Sequence, residues 1–113
     1  MAAEKNFENR VKKFLKDNGC WFCKYFANGF TKSGVPDILA CVGGKFVGIE
    51  VKAADGKPSE LQLKNQEMIK AAGGLAYVLY PNGFEEFKLD MLNLLEQEQE
   101  RNGKERISKY TTY

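Results

Sequence analysis

The chain has 113 residues, 43% of them hydrophobic and 12% aromatic, which is enough for one domain with its own core and too apolar for disorder throughout. It contains no histidine, so Ser-His-Asp and Cys-His catalysis, His-ligated zinc and an imidazole base are excluded, and any chemistry must run on carboxylates, lysines, hydroxyls, thiols or an oxygen-held metal. Net charge is only +2, but residues 1–35 carry +4 and residues 36–95 carry −2; the first third reads either as a phosphate-facing surface or as an ordinary solvated helix face.

Phe7, Val11, Phe14 and Leu15 recur at helical spacing and predict a helix over about residues 4–17, ended by Asn18-Gly19. Residues 20–27 read as extended and aromatic, with Trp21, Tyr25 and Phe26 taken as core positions rather than base-stacking platforms. Cys20 and Cys23 spell C-x-x-C, but on a strand these positions face opposite ways. With Cys41 as the third cysteine no four-cysteine zinc site is possible, so buried structural thiols are expected, with a redox or metal pair as the alternative. A polar loop around Lys32 leads to two short runs, 37–42 and 45–52, separated by Gly43-Gly44. A loop at 53–58, a helix over 59–72 stopped by Gly73-Gly74 and a strand over 75–80 follow. Phe84, Phe87, Leu89, Met91, Leu92, Leu94 and Leu95 then suggest a third helix. From Glu96 the chain is polar, so the expected organisation is a domain over 1–95 and a tail or arm over 96–113. The order is αβββαβ plus a C-terminal helix, an α/β fold whose sheet is apolar on both faces and therefore covered by helices on both. No apolar run approaches the ~18–20 residues of a membrane span, and no signal-peptide core follows Met1. A cytoplasmic protein without membrane association is expected.

Two residues between alternating runs signal a tight hairpin with a primed turn, in which glycine tolerates positive φ. With Gly43 and Gly44 as the loop, Val42 opposes Lys45, Cys41 opposes Phe46, Leu39 opposes Gly48 and Asp37 opposes Glu50. The two carboxylates then share one face with Lys52. Opposed Cβ atoms lie ~4.5–5.5 Å apart and like charges there are destabilising, so the pair suits a shared divalent cation with oxygen ligands. Gly48 on the same face leaves the backbone open to a ligand. The alternative is a slipped register that leaves both acids exposed at strand ends.

Gly34-Val35-Pro36-Asp37, a gap of twelve residues, and Glu50-Val51-Lys52 resemble the PD-(D/E)XK nuclease signature. Glu8 on the leading helix, Gly-Ile-Glu-Val-Lys at 48–52, Lys57-Pro58-Ser59 with Gln62, and the Gly73-Gly74 stop make the chain similar to the VRR-NUC branch, from the first helix to about Tyr80. The resemblance implies a restriction-endonuclease-like αβββαβ core with a mixed central sheet. It further implies Mg²⁺ or Mn²⁺ on Asp37, Glu50 and the Val51 carbonyl, joined by the helix acid Glu8, for which Glu4 competes. Lys52 would orient a water or neutralise phosphate charge. Gln62 would contact Lys52 or the phosphate, although Ser59-x-x-Gln62 is equally a helix capping box and Gln66 is an alternative. Arg10, Lys12, Lys13, Lys16 and Lys32 are candidate phosphate contacts or plain surface.

The implied function is a metal-dependent endonuclease on DNA, structure-specific for branched forms such as four-way (Holliday) junctions. It would act as a homodimer in the cytoplasm of a bacterium or phage-infected host. A duplex nickase or exonuclease of the same fold, and a non-catalytic nucleic-acid-binding module, are the alternatives.

Overall fold

Phe7, Val11 and Leu15 fall on one stripe of a 3.6-residue period and are all buried, forming α1 (Ala2–Asp17). The structure is a computed structural model describing residues 2–105. After α1 come β1 (Trp21–Lys24), β2 (Ile38–Val42), β3 (Lys45–Val51), α2 (Glu60–Ala71), β4 (Leu75–Leu79), a single 3₁₀ turn at Pro81–Gly83 and α3 (Phe84–Glu105). The strands form one mixed sheet in the order β1-β2-β3-β4. The first three are antiparallel, and β4 lies parallel to β3 after the α2 crossover that a parallel connection requires. The expected α/β architecture is therefore present, in the expected element order.

Alternation divides the sheet into two faces. Ile38, Ala40, Val42, Val47, Ile49 and Val51 form one core with Phe7, Val11 and Leu15 of α1 and Phe87 and Met91 of α3. The opposite face carries Gly48, where the Ile69 side chain of α2 approaches to 3.1 Å of a would-be Cβ. The hairpin turn has Gly43 at φ 58° and Gly44 at φ 79°, the positive-φ pair of a type I′ turn. Its register runs from Val42↔Lys45 to Ile38↔Ile49 as expected, and the slipped alternative is absent.

Three expectations are corrected. Trp21 and Phe26 are 64% and 73% exposed rather than core, because β1 is an edge strand and the chain leaves the sheet after Lys24. Cys20 alone is a buried thiol, whereas Cys23 is half-buried and Cys41 exposed. α3 runs past residue 95 to Glu105, and Leu94, Glu98 and Arg101 lie against the Gly43-Gly44 turn. The tail expected over 96–113 thus begins as helix, and residues 106–113 lie outside the described residues. Among the described residues no helix is long and apolar enough to cross a membrane.

Candidate active site

Asp37 immediately precedes β2, and its side chain is locked onto the neighbouring strand: the Val51 amide donates to Asp37 Oδ2 at 2.9 Å. Register continuity places Glu50 opposite it, one residue beyond Ile49. Glu50 is 2% exposed. Lys52 Nζ lies 3.2 Å from Glu50 Oε2, and the Gln62 side-chain amide donates to the same oxygen at 2.8 Å. The other carboxylate oxygen, Glu50 Oε1, is buried with no hydrogen-bond partner. A buried acceptor left unpaired carries its full desolvation penalty. An oxygen lone pair held open beside a second carboxylate is what a hard divalent cation requires, so the residues present fit Mg²⁺ or Mn²⁺.

Burial first, and then the Asp37 charge, push the Glu50 carboxyl up to about 7 against the pull of Lys52. A folded-state pKa raised above the ordinary value of 4.5 means that folding takes up a proton. The resulting stabilisation is present below pH 4.5 and is lost as pH rises through 7. Denaturant melts in EDTA between pH 5 and 8 should show the native chain losing stability with rising pH relative to Glu50→Gln, which has no such proton to lose. Equal slopes for the two proteins would refute the buried, repelled carboxylate.

Gln62 resolves two readings at once. Its Oε1 accepts from the Ser59 amide while Ser59 Oγ accepts from the Gln62 amide, a complete capping box, and its Nε2 simultaneously holds Glu50. The contact is therefore to Glu50, not to Lys52. Gln66 points elsewhere, donating to the Tyr77 carbonyl. Val51 contributes its amide to the site through Asp37.

Glu8 reaches the same end of the sheet from α1 and is 4% exposed, as its stripe with Val11 and Leu15 predicts. Its oxygens are already engaged: Lys24 Nζ lies 2.8 Å from Oε1, and Lys12 Nζ 2.9 Å from Oε2. Burial raises its carboxyl, but the hydrogen bonds and charges of Lys24 and Lys12 outweigh that and hold it near 2. Among the described residues no three of the acids and cysteines gather as a metal-holding group. The acids instead divide into the Asp37–Glu50 pair and a lysine-bound Glu8. Glu4 is only partly buried and joins neither.

Lys24 is the site residue that sequence reasoning missed. It pairs with Ile38 in the β1–β2 ladder and so lies on the apolar face of its strand with Phe22. A charge at an inward strand position is the signal that demanded a buried partner. Of the candidate phosphate contacts, Lys16 and Lys32 are exposed. Lys13 pairs with Asp17, and Arg10 lies over the rings of Phe7 and Phe84.

A family model described as archaeal Holliday junction resolvase (Hjc) matches residues 2–111 of the chain. Among solved structures, a chain titled "VRR_NUC domain" is similar at 22% identity and a TM-score of 0.49, covering 92% of this chain and 97% of that one. No curated protein matches.

Proposed function

The chain belongs to the archaeal Holliday junction resolvase (Hjc) family, of the PD-(D/E)XK nuclease type, and from that premise we propose that it is a Mg²⁺- or Mn²⁺-dependent endodeoxyribonuclease that cuts branched DNA, four-way junctions above all, as a homodimer in the cytoplasm. The observation that carries this reading is Glu50 Oε1, buried and unpartnered beside the Asp37 carboxylate. Binding alone has no use for a repulsive acid pair with an open lone pair at its centre.

Asp37 and Glu50 would hold the cation, which when bound supplies Lewis-acid polarisation of the scissile phosphate and a water of lowered pKa. The rest is done by this chain's side chains. Asp37 is fixed to β3 by the Val51 amide, so hairpin pairing itself sets the separation of the two acids. Gln62 clamps one oxygen of Glu50 and aims the other. Lys52 lies on the same oxygen as Gln62, placed to neutralise charge developing on the phosphate. Recognition by this domain rests on backbone and shape rather than on base edges.

A two-fold junction is cut symmetrically by two copies of one site. Two faces with exposed apolar side chains are available for such a contact: Trp21 and Phe26 on the β1 side, Leu89 and Leu92 on α3.

The test offers labelled four-way junction, linear duplex and single strand with Mg²⁺, Mn²⁺ or EDTA. Metal-dependent paired nicks in the junction are expected, with at most slow cutting of the linear forms. Cutting of linear duplex alone would retain the active site and replace the substrate. Tight binding without cutting under either metal would leave a nucleic-acid-binding module.

A further inference from the structure

The Lys24 ammonium stands between two carboxylates, 2.8 Å from Glu8 Oε1 and 3.7 Å from Asp37 Oδ1. Lys24 is carried by β1, whose antiparallel pairing with β2 sets its Cα opposite Ile38, the residue after Asp37, so its position is fixed by the sheet and not by a flexible loop. Glu8 in turn is braced from its own helix by Lys12 at 2.9 Å and Lys5 at 3.5 Å. One acid with two bracing lysines and a third cation aimed across at Asp37 is a mount for an ammonium group. A divalent ion bridging Glu8 and Asp37 would have to sit where that ammonium now is.

Resting on the reading of Asp37 and Glu50 as the cation pair, we infer that Lys24 is a built-in cation occupying the place between Glu8 and Asp37 that a second divalent ion would otherwise take. The site then holds one divalent ion per chain, and Glu8 is the positioning residue for Lys24. Lys24 also cannot dissociate, so the charge between Glu8 and Asp37 stays neutralised at any free metal concentration.

Isothermal titration calorimetry of the full chain with Mn²⁺ tests this by stoichiometry, without reference to cleavage. The native chain should bind one ion, Lys24→Gln two, and the double variant Lys24→Gln/Glu8→Gln one again. Two ions on the native chain, or one on Lys24→Gln, overturns the inference. Glu8→Gln alone removes one of the two carboxylates that a second ion would need and should retain the single ion, which guards against Lys24→Gln failing to fold; loss of binding there makes Glu8 a ligand and also overturns it. Glu50→Gln tests the underlying reading separately. It should abolish binding, and an unchanged isotherm in that variant removes the Asp37–Glu50 site itself, whatever Lys24→Gln shows.

Discussion

Glu50→Ala and Lys52→Ala each lower the rate of DNA cleavage by at least about a hundredfold, the scale on which removal of one transition-state charge stabiliser is felt, while far-UV circular dichroism and junction binding stay close to native. The separation of activity from stability follows from the surroundings of Glu50. It is buried, one of its oxygens is unpaired, and its carboxyl is pushed up by burial and by Asp37. Deleting it removes an unfavourable buried carboxylate but also the partner of Lys52 and of the Gln62 amide, so the fold is kept while some stability is lost. Lys52 is mostly buried against Glu50 and has no structural partner beyond it among the described residues. On the proposed reading, affinity for DNA would be spread over many phosphate contacts rather than rest on these two side chains. Gel-shift and cleavage assays on the same preparations decide the matter. Native-like cleavage by either variant would end the proposed mechanism, and loss of the circular dichroism signal would show that the pair is structural.

Gly43→Ala destabilises the protein by about 2–4 kcal/mol, which sums a left-handed backbone cost and an overpacking cost. At this size that is a fall in Tm on the order of 15 °C. Gly43 has φ 58°, and a Cβ there would lie 2.3 Å from the Leu94 carbonyl oxygen of α3, a backbone atom that cannot swing aside. Gly19→Ala is the control. It also has positive φ, at 72°, but nothing lies within 4 Å of its would-be Cβ, so only the backbone cost of about 1–2 kcal/mol applies. Thermal melts of the two variants therefore measure how tightly α3 is seated on the hairpin. Equal losses would mean that this packing contributes nothing.

The hairpin was readable because two purely local facts determine it: a Gly-Gly pair that alone tolerates a primed turn, and a period of two that forces Asp37, Gly48 and Glu50 onto one face. The Ser59–Gln62 capping box was readable for the same reason. What escaped was set by partners distant in sequence. Lys24 acquires its role only when β1 pairs with β2 and α1 brings Glu8 alongside, a juxtaposition spanning residues 8–37. Trp21 and Phe26 looked like core because aromatic residues usually are, and only the strand order reveals that β1 is an edge. Residues 96–105 looked like a tail because they are polar all round. They are helical because Glu, Gln and Arg favour helix and Glu98 pairs with Arg101 over the Gly44 turn.

The way Asp37 and Glu50 meet also constrains how this gene can drift. Each residue added to or lost from one arm of the hairpin reverses the facing of every side chain beyond it. The interval between the two acids can therefore lengthen only in matched steps, one residue on each strand, and only in pairs of such steps if both carboxylates are to return to the α2 side. An unmatched insertion survives only where a bulge absorbs it. The Gly43-Gly44 end, capped by α3, leaves little room for one. Twelve residues between the acids is thus one rung of a ladder of permitted lengths, and neighbouring rungs are reached by coordinated insertions on both strands rather than by single-codon change.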